Sequence, residues 1–137
     1  MIDRESADRP QEGERLHILI VDDEEAIVDL LSEFVADLGY IPFSAPNGLQ
    51  ALSIAFEHWP VLVITDFMMP KMNGAELIRS LYAEARAQKR VRPSIILLTA
   101  AGIPALKGLH VDVVMTKPFD LDQLEVVIRR LLRATVS

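Results

Sequence analysis

The chain has no cysteine. That removes disulfides and cysteine-ligated zinc from consideration, and it fits a reducing compartment. Positive charge is in deficit: 14 Lys and Arg stand against 20 Asp and Glu, a net charge of −6. Nothing in that balance draws the chain to nucleic acid or to an anionic membrane. Long hydrophobic runs are absent, and none approaches the roughly 18 residues of a membrane span. Residues 1–15 are polar and charged, without the apolar stretch of a secretory signal. These absences predict a soluble, cytoplasmic protein. Half of the 137 residues are hydrophobic, enough for one ordinary domain with a real core. Residues 1–14 mix Asp, Glu and Arg with Pro10 and Gly13 and are expected to form a mobile tail, since they bury too little to offset ordering. The domain is expected over residues 15–137.

The stretch from Val61 to Gly74, VLVITDFMMPKMNG, organises what is present. Its short apolar run suits a strand buried on both faces. The run stops at one carboxylate, Asp66. A turn follows, marked by Pro70 and Asn73-Gly74, and then a helical pattern from about Ala75 to Gln88 carrying Leu77, Ile78, Leu81 and Tyr82. Taken alone, Asp66 reads equally well as the end of a strand or a turn cap.

Other strands resolve the ambiguity. His17–Val21 is a strand ending in Asp22-Asp23. The helix after it carries Ile27, Leu30, Leu31, Phe34, Val35 and Leu38 at three- and four-residue steps, with Glu24 and Glu25 in its first turn and Gly39 as its stop. Tyr40–Ala45 is a strand that Pro42 places at a sheet edge. Asn47-Gly48 opens a helix whose apolar positions are Leu49, Leu52, Ala55 and Phe56, closed by Trp59-Pro60. The run Lys89-Arg90-Val91-Arg92 reads as a solvated loop ended by Pro93. Ser94–Leu98 is a buried strand ending at Thr99, and Val111–Met115 one ending in Thr116-Lys117-Pro118. Asp120 is a candidate N-cap for a last helix with Leu121, Leu124, Val127, Ile128, Leu131 and Leu132 as its stripe. Strands alternating with helices imply an α/β fold: a doubly wound, flavodoxin-like five-stranded parallel sheet in the order 2-1-3-4-5. Between Thr99 and Lys117, Gly102, Pro104 and Gly108 leave room only for a shortened or missing fourth helix.

In such a sheet the strand ends share one edge, so Asp22, Asp23, Asp66, Thr99 and Lys117 should converge. Three crowded carboxylates raise one another's pKa or demand a cation. A hard ion with oxygen ligands relieves the crowding, and Mg²⁺ is the natural one. A carboxylate beside such an ion, a hydroxyl and an ammonium suits phosphoryl transfer, with Asp66 as nucleophile and Thr99 and Lys117 neutralising phosphoryl oxygens. Each piece also has a plain reading: helix cap, backbone partner, surface lysine. Only their coincidence on one edge argues for a site. His17, His58 and His110 match no ligand spacing and read as structural or surface residues.

The ordered set Val21-Asp22-Asp23-Glu24, Ala45-Pro46-Asn47-Gly48, Asp66-Phe67-Met68-Met69-Pro70-Lys71-Met72-Asn73-Gly74, Leu98-Thr99-Ala100 and Lys117-Pro118-Phe119 resembles the receiver domain of two-component response regulators, from about Leu16 to Ala134. The resemblance implies that Asp66 accepts a phosphoryl group from a sensor histidine kinase or histidine phosphotransfer protein. It implies Mg²⁺ held by Asp23, Asp66 and the Met68 backbone carbonyl, with Asp22 acting through water. It also implies a cis Lys117-Pro118 bond, a Thr99 that moves towards the phosphoryl group, and signalling to a downstream protein target rather than classical enzymatic turnover. A stand-alone regulator is expected, without nucleic-acid or membrane partners. Two departures stand out. Val114 occupies the place of the family's usual aromatic partner of the moving Thr, and the segment after Thr99 is short. Output is therefore expected through the loop after Thr99. Met68 and Ala101 offer no side chain to orient an attacking water, so self-dephosphorylation should be slow. The weighed alternatives are a pseudo-receiver adaptor that signals without phosphorylation, an aspartyl phosphatase, for which Met68 replaces a second Asp, and a flavin carrier, for which no Ser/Thr-rich phosphate loop follows the first strand.

Overall fold

The computed structural model describes residues 16–100, 106 and 108–136, the last three as backbone only. The tail expected over 1–14 lies outside the described residues, as do positions 101–105 and 107. Among the described residues, five strands alternate with four helices. The strands are β1 (His17–Val21), β2 (Ile41–Ala45), β3 (Leu62–Asp66), β4 (Ser94–Thr99) and β5 (Val113–Thr116). The helices are α1 (Glu25–Asp37), α2 (Gly48–Glu57), α3 (Gly74–Gln88) and α4 (Leu121–Val136). All pairings are parallel, in the order β2-β1-β3-β4-β5. The shortened or missing fourth helix was expected in a segment whose middle lies outside the described residues.

The alternation of side chains along each strand divides the core in two. Ile18, Ile20, Leu62, Ile64, Ile96 and Leu98 face α1 and α4, where Leu31, Val35, Leu124 and Ile128 meet them. Leu19, Val21, Val63, Ile95 and Leu97 face α2 and α3, against Ala51, Ala55, Leu77, Ile78 and Leu81. Both faces of the central strands are covered, which is why their sequences are unbroken apolar runs. β2 carries Pro42 at the sheet edge, where its missing N–H leaves no gap in a central ladder.

Helix ends fall near the expected residues. Gly39 adopts φ +103° just past α1, and its N–H reaches the Ala36 carbonyl. Asn47 and Asn73 cap α2 and α3 by accepting from the Gln50 and Glu76 N–H groups, and Glu76 returns a bond to the Asn73 N–H. Asp120 accepts from the Asp122 N–H at 2.8 Å at the start of α4.

Three expectations are corrected. Leu49 and Phe56 are exposed; of the expected positions Ala55 is buried and Leu52 packs partly, and Gly48 and Ala51 complete the buried face of α2. β5 starts at Val113, not Val111, because the Asp112 side chain takes the Ile95 N–H at 2.7 Å in place of a ladder carbonyl. The basic loop is not simply solvated: Arg90 lies 4.8 Å over the Trp59 ring, Arg92 lies 4.8 Å over Tyr82, and Trp59 donates to the Val91 carbonyl at 2.8 Å.

Candidate functional site

The C-terminal ends of β1, β3, β4 and β5 stop level with one another. Val21 pairs with Thr65, Asp66 with Leu98, and Thr99 with Thr116. The next residues leave the sheet at the same edge, where α/β sheets bind ligands. Asp22, Asp23 and Asp66 each offer a carboxylate oxygen there, all within 4.8 Å of one another. Asp22, Asp66 and Thr99 are buried, while Asp23 is exposed. Asp66 is 7% exposed and opens into a cleft lined by Asp23, Glu24, Phe67, Met68, Thr99, Ala100 and Lys117.

The backbone around Asp66 is tightly held. Phe67 N–H donates to the Leu98 carbonyl at 2.9 Å, Gly74 N–H donates to the Phe67 carbonyl at 2.8 Å, and the Thr65 hydroxyl donates to the Asp66 carbonyl at 2.9 Å. Gly74 lies so close that a Cβ there would sit 2.6 Å from the Asp66 carbonyl oxygen. The asparagine-glycine turn after the strand is thus a packing requirement as well as a helix start.

Lys117 follows β5, its N–H donating to the Thr99 carbonyl at 2.8 Å and its bond to Pro118 cis. Its ammonium lies 2.8 Å from Asp22, 3.2 Å from Glu24 and 3.5 Å from Asp66. Burial favours loss of its proton, but the hydrogen bond and charge of Asp22, with Asp66 and Glu24, outweigh this and raise its pKa above the ordinary lysine value. The Asp66 carboxyl is pushed up, first by burial and then by the Asp22 charge, with Lys117 only partly offsetting both. Excess negative charge is therefore built into the cleft.

The donor set fits a small hard cation. It consists of carboxylate oxygens crowded on one side of a single ammonium, and ions of the Mg²⁺ type take such ligands. Both Asp22 oxygens are already engaged, one by Lys117 and the other by the Glu24 N–H at 2.9 Å. Asp23, beside it, is exposed to the cleft. All five residues picked out by sequence converge. The helical pattern makes Glu24 a first-turn acid, yet it stands at the N-cap and its side chain joins Lys117. The signal available was the four-acid run Asp22-Asp23-Glu24-Glu25, longer than a helix start needs.

Residues 18–129 match the model of the response regulator receiver domain. The chain belongs to the response regulator receiver family. Receivers are the signalling domains of two-component systems, for which phosphorylation and Mg²⁺ binding at an acidic pocket are typical. This receiver is 34% identical over 125 residues to Response regulator Rre1 of Synechocystis, covering 88% of this chain and 53% of that protein. It is 36% identical over 119 residues to Sporulation initiation phosphotransferase F of Bacillus subtilis, covering 84% of this chain and 92% of that protein. The receiver spans about half the length of most of the curated relatives that it matches. Among solved structures, the signal receiver domain of an HD domain-containing protein from Pseudomonas fluorescens Pf-5 superposes with a TM-score of 0.78 at 26% identity, covering 88% of this chain and 96% of that one. Vibrio cholerae chemotaxis protein CheY4 gives 0.75 at 26% identity, covering 85% and 98%. Among the described residues no helix is long and apolar enough to cross a membrane.

Proposed function

We propose that this receiver accepts a phosphoryl group on Asp66 from the phosphohistidine of a sensor histidine kinase or histidine phosphotransfer protein, and signals by binding a downstream protein. The observation that carries this is the convergence of the Asp22, Asp23 and Asp66 carboxylates within 4.8 Å, with the Lys117 ammonium 3.5 Å from Asp66. The likeness to a protein named a phosphotransferase over 92% of its length supports the same reading.

An Asp66 carboxylate oxygen attacks phosphorus, the phosphorus–nitrogen bond breaks, and its electron pair returns to the donor imidazole. Lys117 and Thr99 lie on the cleft wall, where an ammonium and a hydroxyl meet phosphoryl oxygens. Asp23, Asp66 and the Met68 carbonyl would hold Mg²⁺, and Asp22, whose oxygens also meet Lys117 and the Glu24 N–H, would act through water. When bound, Mg²⁺ neutralises charge on the carboxylates and on the phosphoryl oxygens.

Incubation with acetyl phosphate and Mg²⁺, followed by intact-mass measurement, tests this. One phosphoryl increment is expected, lost on chelation and in Asp66→Asn. An unlabelled wild-type protein that still binds its target would mean signalling without phosphorylation.

A further inference from the structure

Lys117 is the only basic residue lining the cleft among the described residues, and Asp22 and Glu24 both hold its ammonium by hydrogen bonds. The two holders differ. Asp22 is 1% exposed and sits at 2.8 Å; Glu24 is 63% exposed and sits at 3.2 Å. Glu24 also occupies the N-cap of α1, and its side chain makes no capping bond. Ser, Thr, Asp and Asn serve that position well, whereas Glu is not among the favoured residues. Its carboxylate instead reaches across to Lys117, while its N–H binds the second oxygen of Asp22 at 2.9 Å. Asp22, Glu24 and Lys117 thus form a closed ring whose solvent side is the Glu24 carboxylate.

A phosphoryl donor enters this cleft as an anion, past Asp23, Glu24 and Asp66. It must compete for an ammonium whose hydrogen bonds go to Asp22 and Glu24, with Asp66 3.5 Å away. An exposed ion pair is weak, so this partner can be displaced where Asp22 cannot. We propose that Glu24 is a positioning residue, a displaceable anion that occupies Lys117 until the phosphoryl group takes its place and so restrains uptake from small anionic donors. The inference rests on the phosphoacceptor reading above and deepens it. The strength of an exposed pair sets the scale: releasing Lys117 should speed labelling by about two- to fivefold.

The test compares acetyl phosphate labelling rates at saturating Mg²⁺ in wild type, Glu24→Gln, Glu24→Asp and Glu25→Gln. Glu24→Gln removes the charge. Glu24→Asp keeps the charge but withdraws it by about 1.5 Å, one carbon–carbon bond, and improves the cap. Glu25→Gln removes a neighbouring exposed charge; among the described residues Lys117 forms its ion pairs with Asp22, Glu24 and Asp66. Both Glu24 variants are expected to label faster, at a lower half-saturating donor concentration, with Glu25→Gln close to wild type. A second readout needs neither donor nor metal: the ¹⁵N signal of the Lys117 ammonium should broaden through faster proton exchange in both Glu24 variants. Equal acceleration in Glu25→Gln, or an unaltered Glu24→Asp, would overturn the restraint and leave only a diffuse charge effect. A wild-type protein that does not label at all would instead refute the phosphoacceptor reading.

Discussion

Gly74 is where a single methyl group touches the proposed acceptor most directly. In Gly74→Ala the new Cβ meets the Asp66 carbonyl oxygen and the Leu97 side chain, and backbone must move. Overpacking of this kind costs about 1–3 kcal/mol. Chemical denaturation should show that loss, together with slower phosphoryl labelling, because the displaced atoms belong to Asp66 itself. Asp66→Asn should do the opposite to stability. The Asp66 carboxyl has a raised pKa, so ionising it at neutral pH penalises the folded state. The penalty is full above the raised value and fades as pH falls through it. Asp66→Asn should therefore melt higher than wild type at pH 7, with the gap narrowing on acidification; equal melting temperatures across that range would contradict the electrostatic account. Asp22, Asp23, Asp66, Thr99 and Lys117 were legible because each lies within two residues of the end of an apolar run. The role of Glu24 was not, because where a long side chain folds back is not written in periodicity.

Elements deliver these residues through their caps. The Asn73 capping box starts α3 directly after the acceptor loop. Asn73→Ala should lower stability by about 1 kcal/mol, read as a melting temperature lower by about 4 °C. The buried face of α2 differs from its apolar pattern at Leu49 and Phe56 for a physical reason. It approaches the sheet through Gly48, Ala51 and Ala55, and small residues give little apolar signal, while Leu49 and Phe56 stand outside. The start of β5 was misread because Asp112 imitates a strand carbonyl, a substitution that no hydrophobic pattern records. The same segment holds Tyr82, whose buried hydroxyl donates to the His110 carbonyl at 2.7 Å. Burial pushes its pKa up to about 12. Between the ordinary value near 10 and that value, the unfolded chain ionises and the folded one does not, so stability falls as pH rises through this window. Ultraviolet titration should show a late phenol step that Tyr82→Phe removes.

Across the whole molecule, the sheet separates two ends with different demands. One edge collects the buried carboxylates. At the other, His17, Phe43 and His58 pack ring against ring, with centroids 4.4 to 5.7 Å apart. Burial, and then the neighbouring His58, lower the His17 pKa. The folded state therefore prefers neutral His17, a stabilisation present above the unfolded value near 6.5 and lost as pH falls through the lowered one. Acid should loosen this end while it relieves Asp66 at the other. Comparing the melting curves of wild type and His17→Phe below pH 6.5 separates the two, and the variant is expected to lose less stability.

The order of the sheet followed from the sequence of alternating elements and from Pro42 at the edge, since parallel strands with short connections leave few other arrangements. The chemistry at its carboxyl edge is tested most directly by labelling with acetyl phosphate and Mg²⁺, reducing the acyl phosphate with borohydride, and sequencing the peptides by mass spectrometry. The account predicts conversion of residue 66 alone to homoserine. Homoserine at Asp22 or Asp23, or none after full exposure to donor and metal, would contradict it.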